Sequence, residues 1–278
     1  MVSDDARRVL GGTRFSDVRF VAETGSTNDD VMALAREGAP EGIVVVAGRQ
    51  SAGRGRLGRN GTTPAGGSLL ASVLMRPPVE VMGLVTMATA VAAASAVEHV
   101  AGFTPGLKWP NDLVVAGDGP AADRKLAGIL AEADWPAAST ISAGWRAPRP
   151  GERGVVVVGV GLNIDWSGDP PDDLVDSAVA VSQVTGRAVD SSALLTALLV
   201  ELDGLYRVMA STRDGADVLR RLRAGSATLG RRVRVDLGAE SVEGDAVDVS
   251  DEGHLVVDTG AGFRSFAVGD VVHLDASS

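Results

Sequence analysis

The sequence predicts an α+β fold in which a larger mixed-sheet domain is followed by a small β-barrel. Strand and helix signals are mixed over the first 225 residues, with too few helices between the strands for a doubly wound sheet. After residue 226 the pattern changes to short strands divided by Gly and Asp turns, which is typical of a small barrel. A length of 278 residues leaves ample material for both cores.

The elements of the larger domain follow from short apolar runs and from helix-cap residues. Ser26, Thr27 and Asn28 can cap a helix that runs to residue 36. Residues 81–97 carry no charge, but they are Ala-rich and short for a membrane span, so they predict a buried helix. Amphipathic helices are predicted at 191–209 and 214–223, and strands at 18–22, 43–47, 69–75, 113–116, 126–133 and 155–160.

Two long stretches lack a regular pattern. Residues 48–67 hold seven glycines and predict a long flexible loop. Residues 132–154, rich in Trp, Pro, Ala and Gly, predict a loop or an irregular hairpin. The barrel strands are predicted at 232–236, 242–249, 255–258, 263–268 and 271–274. The resulting division is an N-terminal tail at 1–15, a large domain at 16–225 and the barrel at 228–276.

The composition narrows the possible chemistry. The absence of cysteine removes disulfides, thiolate metal sites and cysteine nucleophiles, and three scattered histidines argue against a zinc site or a His-based triad. A net charge of −10 argues against a protein that coats nucleic acid. The polar N-terminus carries no targeting signal, so we expect a cytoplasmic protein without membrane contact. Of the 26 basic residues, only Lys108 and Lys125 are lysines.

Residues 53–59, GRGRLGR, contain three arginines, Arg54, Arg56 and Arg59, with glycines among them. Glycine lets the backbone approach a ligand, and arginine binds phosphate through two parallel hydrogen bonds. The pattern lacks the Gly-Lys-Ser/Thr ending of a Walker loop. A solvated basic loop or a nucleic-acid contact would have the same composition, so this segment alone leaves phosphate binding open.

Three further segments combine polar groups with glycine or proline. Residues 108–112, KWPND, set a lysine beside an amide and a carboxylate, which suits a nucleotide, a magnesium ion or an attacking amine. The same residues also make a good turn. Residues 124–130, RKLAGIL, open a strand with a basic pair, which fits a ligand contact or a lysine at a strand edge. Residues 159–163, GVGLN, end a strand with close-approach glycines and an amide, or form a plain turn.

Taken together, these segments are specific, and the sequence resembles the biotin–protein ligases. Five motifs occur in the order and at about the spacing of that family, namely TGSTN at 24–28, QSAGRGR at 50–56, KWPND at 108–112, RKLAGIL at 124–130 and GVGLN at 159–163. The resemblance covers residues 18–274. It implies a mixed-sheet catalytic domain of the biotin/lipoate ligase type, followed by an SH3-like barrel.

The resemblance implies an enzyme that activates biotin with MgATP to biotinyl-5′-AMP and passes biotin to a lysine of a biotin carboxyl carrier domain. The implied catalytic residues are Lys125, Arg56 and Asp112. The implied biotin contacts are Ser26, Thr27, Asn28, Gln50, Gly53, Arg54, Arg56, Lys125 and Gly128. The implied ATP and adenylate contacts are Arg54, Arg56, Arg59, Asn111, Lys125 and Asn163. The metal ligands stay open, with Asp112 as a candidate, and Lys108 is either catalytic or supports the site.

Two positions depart from the family pattern. Gly48 stands where Glu is frequent, and Gly61 stands where Trp is frequent, which leaves the adenine-stacking partner unassigned. The 17 residues before the first predicted strand are too few for a DNA-binding domain, so the resemblance implies a ligase without a repressor function, as a monomer or a homodimer. The alternatives are a lipoate or octanoate ligase or transferase, and a non-catalytic regulator that binds biotin or a nucleotide.

Overall fold

A computed structural model describes residues 3–53, 66–134, 149–166 and 174–274. The N-terminal segment, predicted as a tail, begins with helix α1 (Asp4–Leu10). The Ser3 side chain accepts a hydrogen bond from the Ala6 amide at 3.2 Å, and Asp4 and Asp5 lie in the first turn, where they favour a helix start. Helix α1 was not predicted, because it is short and buries only two residues, Ala6 and Leu10, too few for a periodic signal.

Seven strands form a mixed sheet. They are β1 (Val18–Val21), β2 (Val44–Ala47), β3 (Ser68–Met75), β4 (Gly106–Lys108), β5 (Asp112–Val114), β6 (Lys125–Asp134) and β7 (Val155–Asn163), in the order β1-β2-β3-β7-β6-β5-β4. Strands β1 and β2 are parallel, and the other neighbouring pairs are antiparallel. The α+β prediction is therefore confirmed.

Several strands of this sheet differ from the prediction. Strand β4 was not predicted, because its three residues are too few to show an alternating pattern. Strand β5 begins at Asp112 and ends at Val114, two residues before the predicted end. Strand β6 continues to Asp134, which pairs with Val155, so the predicted irregular segment does not begin at 132. The rest of that segment, residues 135–148, lies outside the described residues.

The helices pack on both faces of this sheet. They are α2 (Thr27–Arg36), α3 (Val85–Ala101), which follows a 3-10 helix (Val79–Leu84), α4 (Val181–Thr185), α5 (Ser191–Thr212) and α6 (Ala216–Ala224). The segment Val79–Ala101 has the length and hydropathy of a membrane span, but 67% of its most apolar window is buried inside the protein. It is the central helix of the core, as the sequence predicted.

The alternation of side chains along β3 separates the two faces. Leu69, Ala71 and Val73 face the main core with α3 and α5. Leu74 joins a second cluster with Val31 of α2, together with Val155 and Val157 of β7. Helix α2 therefore covers one half of its face of the sheet. The other half, beyond the N-terminus of α2, carries glycines instead of large side chains, and the candidate site lies there.

The C-terminal residues form a five-stranded antiparallel sheet. Its strands are β8 (Arg232–Asp236), β9 (Ser241–Val249), β10 (Leu255–Asp258), β11 (Phe263–Phe266) and β12 (Asp270–His273), in the order β11-β10-β9-β8-β12. Strand β11 ends two residues before the predicted end at 268. The domain boundaries at 225 and 228 stay predictions.

Trp109 joins the two sheets. Its indole is 3% exposed and donates to the carbonyl of Gly253 at 3.0 Å, in the turn between β9 and β10. Its backbone amide donates to Thr228 Oγ1 at 3.1 Å. A Cβ atom on Gly253 would lie 2.8 Å from Met87 Cε, so the turn needs a glycine to sit this close to α3. Trp109 of the KWPND motif therefore serves the junction, while its neighbours serve the site.

Candidate functional site

The site lies on the α2 side of the large sheet, over a floor of glycines. Gly128 of β6 and Gly161 of β7 are direct neighbours across the two strands. A Cβ atom on Gly161 would meet no described atom closer than 3.9 Å, so a methyl group would fit there at ordinary van der Waals distance. The N-terminus of α2 stands on one side of this floor and the Lys125 side chain on the other. A flat ligand can therefore approach the backbone of the sheet.

A buried polar group stands at the α2 side of the floor. Gln50 Oε1 accepts from the backbone amide and from the hydroxyl of Thr27, at 2.7 and 2.9 Å. Ser26 occupies the N-cap position, but its side chain makes no capping hydrogen bond within the described part of the chain, so the predicted cap is wrong in this detail. Gln50 Oε1 accepts the hydrogen bond from the Thr27 amide instead. This contact links the start of α2 to the segment that leads into the arginine loop.

Two residues of this polar group were not predicted from the sequence. Ser72 of β3 lies 2.6 Å from both Thr27 Oγ1 and Asn28 Oδ1, and its side chain is fully buried. Glu132 of β6 accepts from Asn28 Nδ2 at 2.7 Å. The one signal for Ser72 was a hydroxyl within an apolar strand, and Glu132 carried none. The structure thus brings four of the predicted biotin contacts, Ser26, Thr27, Asn28 and Gln50, to one place.

Lys125 and Asp112 form an ion pair at the other side of the floor, with 2.7 Å between Nζ and Oδ1. A Cβ atom on Gly128 would lie 3.0 Å from Lys125 Nζ and 3.6 Å from Asp112 Oδ1, so Gly128 leaves the room that this pair occupies. The Lys125 backbone is held by residues 177–179, through its amide to Ser177 O at 2.8 Å and its carbonyl from Val179 N at 2.9 Å. A half-buried ammonium is therefore fixed beside the open floor.

Asn111 and Asn163, the predicted nucleotide contacts, both donate hydrogen bonds to backbone carbonyls in this structure. Asn111 Nδ2 donates to Ile129 O at 2.8 Å. Asn163 Nδ2 donates to Val179 O at 3.2 Å and to Lys125 O at 3.4 Å. Both amides thus stabilise the segments around Lys125, and their contact with a nucleotide stays a prediction.

The beginning of the arginine loop is anchored, but its arginines are not described. The amides of Ser51 and Ala52 donate to the carbonyls of Thr24 and Gly25, both at 2.9 Å. Gly53 follows and is buried. The predicted phosphate contacts Arg54, Arg56 and Arg59 lie outside the described residues, as does Gly61.

Lys108 lies at the side of the site that faces the C-terminal sheet. It is paired with Asp112 across β4 and β5. Burial lowers the pKa of Lys108, an effect that the nearby carboxylates Asp112 and Asp123 oppose. Asp123 in turn contacts Arg231 at 2.6 Å, and Arg231 donates to His273 Nδ1 at 2.6 Å. Lys108 therefore lies between the Lys125–Asp112 pair and a charged cluster that joins the two sheets.

His273 should make the protein less stable in mild acid. Burial, followed by the charges of Lys108 and Arg231, lowers the pKa of His273 to about 4. Because the unfolded histidine binds a proton near pH 6.5 and the folded one does not, stability is expected to fall as the pH drops from about 6.5 to about 4. Between pH 7 and 5 the loss is about 2 kcal/mol.

Urea unfolding of the wild type and of His273→Gln at pH 7 and pH 5 tests this. The glutamine can still accept from Arg231 and donate to Thr228, so its stability should change less between the two pH values. Equal pH dependence in the two proteins would contradict the assignment.

Comparison with known proteins extends these observations. Residues 21–138 match the model of the biotin/lipoate A/B protein ligase family, and residues 228–274 match the biotin protein ligase C-terminal domain. The chain is 35% identical over 271 residues to a Mycobacterium tuberculosis protein named biotin--[acetyl-CoA-carboxylase] ligase, covering 95% of this chain and 91% of the relative. It is 30% identical over 250 residues to the Bacillus subtilis bifunctional ligase/repressor BirA, covering 88% of this chain and 70% of that protein.

The fold is also shared with solved structures. A biotin protein ligase from Aquifex aeolicus in complex with biotin and ATP superposes with a TM-score of 0.73 at 23% identity, covering 94% of this chain and 100% of that chain. At this identity the likeness bears on the fold, including the C-terminal sheet.

Proposed function

The chain belongs to the biotin protein ligase family, and we propose that it activates biotin with MgATP to biotinyl-5′-AMP and transfers biotin to a lysine of a biotin carboxyl carrier domain. One observation carries the proposal. A fixed ammonium, Lys125, stands at one end of a glycine floor, and a buried polar group stands at the other. The floor accommodates an apolar ring and tail, and its two ends suit a carboxylate and a ureido group.

Lys125 provides the positive charge for the first step. The biotin carboxylate attacks the α-phosphate of ATP, a new O–P bond forms, and pyrophosphate leaves with the electrons of the broken P–O bond. The two reacting groups are both anions and repel each other. A compact ammonium between them offsets this repulsion and stabilises the charge that develops on the α-phosphate oxygens. Asp112 keeps Nζ in place before the substrates arrive. Arg54, Arg56 and Arg59 are proposed to bind the phosphates.

The polar group at α2 is proposed to bind the ureido ring. Ser26, Thr27 and Asn28 are each 5% exposed or less, so a ligand that reaches them leaves water. A buried ureido N–H or C=O without a partner would cost about 1–3 kcal/mol. The hydroxyls and amides of this group supply such partners. Gly53 and Gly128 allow the backbone to lie along the ligand.

Magnesium is proposed to enter with the triphosphate. No group of three or more Asp, Glu or His side chains placed to hold a metal ion occurs in the part of the chain that the structure describes. Asp112 is the candidate carboxylate, and because its Oδ1 lies 2.7 Å from Lys125 Nζ, a bound ion would share this carboxylate with the ammonium. Since Mg²⁺ is usually held by one or two carboxylates and the substrate phosphates, this donor fits. The bound ion would offset the charge of the departing pyrophosphate.

The second step transfers the biotinyl group to an amine. The carrier lysine, as a neutral amine, attacks the carbonyl carbon of the mixed anhydride, a C–N bond forms, AMP leaves with the electrons of the C–O bond, and the nitrogen loses one proton to solvent. Asp112 is proposed to orient this amine as well. A cytoplasmic enzyme, a monomer or homodimer without a nucleic-acid partner, is the form that we propose.

Pyrophosphate release separates this function from its alternatives. The protein is incubated with ATP and magnesium, and with either biotin or lipoate. Release with biotin alone supports the proposal, and release with lipoate alone supports a lipoate ligase. No release with either acid, together with biotin binding, supports a regulator. Transfer of biotin to a purified carrier domain tests the second step, and mass spectrometry of that domain measures it.

A further inference from the structure

Four side chains form a buried chain of hydrogen-bonding groups beside the glycine floor, which we call the polar chain. It runs from the Asn28 amide through the hydroxyls of Ser72 and Thr27 to the Gln50 amide. Its three oxygen–oxygen distances are 2.6 Å from Asn28 Oδ1 to Ser72 Oγ, 2.6 Å from Ser72 Oγ to Thr27 Oγ1, and 2.9 Å from Thr27 Oγ1 to Gln50 Oε1. Because Asn28, Ser72 and Thr27 are each 4% exposed or less, water does not compensate a missing hydrogen here.

The orientation of the Asn28 amide is set by the groups outside the polar chain. Its nitrogen faces Glu132 Oε2 at 2.7 Å and the carbonyl of Leu130 at 3.3 Å. A carboxylate and a carbonyl only accept hydrogen bonds, so Nδ2 must face them and Oδ1 must face Ser72. The charged contact to Glu132 is the shorter and the stronger of the two.

The other end of the polar chain is oriented in the same way. The backbone amide of Thr27 donates to Gln50 Oε1 at 2.7 Å, so the oxygen of this side chain, and not its nitrogen, faces Thr27. Both ends of the polar chain are therefore acceptors. Between them lie three oxygen–oxygen contacts and two hydroxyl hydrogens, one from Ser72 and one from Thr27.

The polar chain is thus one hydrogen short among the described residues. When Thr27 donates to Gln50, the one hydroxyl hydrogen of Ser72 serves only one of its two contacts, to Thr27 or to Asn28. When Gln50 accepts from a ligand instead, the Thr27 hydroxyl can donate to Ser72 and Ser72 can donate to Asn28. Gln50 is half-buried, so a ligand can reach this end of the chain. A ligand N–H group supplies the missing donor, whereas a ligand that only accepts does not. The arrangement favours a ring with N–H donors, such as a cyclic urea.

We propose that Glu132 is a positioning residue that orients Asn28 and thereby makes the polar chain an acceptor for the ureido N–H groups of the substrate. This inference rests on the proposed function. Glu132 acts through Asn28 and need not touch the ligand. A glutamine at this position presents either an acceptor or a donor, so the Leu130 carbonyl alone still favours the native orientation of the Asn28 amide. In the molecules in which this amide turns over, Asn28 donates to Ser72, all three contacts gain a hydrogen, and the polar chain no longer needs a ligand donor.

The test compares Glu132→Gln with Asp134→Asn. Asp134 lies on the same face of β6, two residues further along, and pairs with Arg36 at the far end of α2, so its variant removes a carboxylate without touching Asn28. We expect Glu132→Gln to raise the KM for biotin roughly tenfold or more, with little change in kcat or in the KM for ATP. Asp134→Asn should keep all three constants of the wild type.

A second variant exchanges the two groups. In the double variant Asn28→Asp with Glu132→Gln, the new glutamine donates to the new aspartate, whose other oxygen faces Ser72 as an acceptor. The polarity of the chain toward Ser72 is restored, but one aspartate oxygen now faces the Leu130 carbonyl, so the KM for biotin should return part of the way to the wild-type value. An unchanged KM in Glu132→Gln would overturn the proposal. So would an equal rise in Asp134→Asn, or a double variant that is no better than Glu132→Gln. A wild type that releases no pyrophosphate with biotin would instead refute the proposed function.

Discussion

Replacing Lys125 by arginine is expected to lower biotin-dependent pyrophosphate release by about a hundredfold to a thousandfold, although the charge is kept. The ammonium lies 2.7 Å from Asp112 Oδ1, which holds one compact charge beside the floor. A planar guanidinium is wider and distributes its charge over three nitrogens. It cannot place one compact charge between a carboxylate and a phosphate at this position.

The matched variant is Lys108→Arg, which changes the other lysine of the chain in the same way. Lys108 lies beside the cluster at the C-terminal sheet, and we expect its variant to lose less than about tenfold in the same assay. Biotin binding, measured by calorimetry, should persist in both variants. Equal losses in the two would show that Lys125 has no special part in the first step, and near-normal release by Lys125→Arg would remove it from the mechanism.

The elements whose apolar residues recur with a clear period can be located from the sequence alone. Strands such as β3 and β7, and the buried helix α3, carry enough apolar residues in register to be located within a few positions. The short helix α1 and the three-residue strand β4 do not, because they bury too few side chains to leave a pattern.

The candidate site was predicted where its residues lie within motifs and was missed where they do not. Ser26, Thr27, Asn28 and Gln50 belong to two motifs that resemble the family. Ser72 and Glu132 belong to none of them. They reach Asn28 only because β3, β7 and β6 are neighbours in a register that sets Ser72 and Leu130 on either side of Gly159. Such a contact between distant positions depends on strand order, which local pattern does not contain.

Residues of the KWPND motif lie both in the candidate site and at the junction of the two sheets. Within this motif Asn111 and Asp112 are the predicted site residues, and no role was predicted for Trp109. In the structure the Trp109 indole donates to Gly253 in the C-terminal sheet, while Asp112 faces Lys125. The motif therefore couples the position of the catalytic pair to the junction of the two sheets.

The second large effect is expected from Gly159→Ala. A Cβ atom at this position would lie 2.4 Å from Asn28 Oδ1, which is closer than real Cβ contacts come. Asn28 is held in the polar chain, so it cannot move aside as freely as the end of a long, exposed side chain. Asn28 must then move away from Ser72, and the chain of contacts to Gln50 is broken. We expect the KM for biotin to rise by about tenfold to a hundredfold, and the free energy of unfolding to fall by about 1–3 kcal/mol.

Gly161→Ala, two residues further along β7, is expected to change ligand binding without changing the stability of the fold. Here a Cβ atom would stay 3.9 Å from Gly128 O and 4.0 Å from Leu70 Cδ2, so the free protein should keep its stability within about 0.5 kcal/mol. The added methyl group nevertheless rises from the floor on which we place the ligand, and the KM for biotin should increase by about tenfold. Urea unfolding and steady-state kinetics on the same samples measure both quantities. If Gly161→Ala binds biotin as the wild type does, the ligand does not lie over this strand. The glycines of the GVGLN motif would then serve the packing of Asn28 alone.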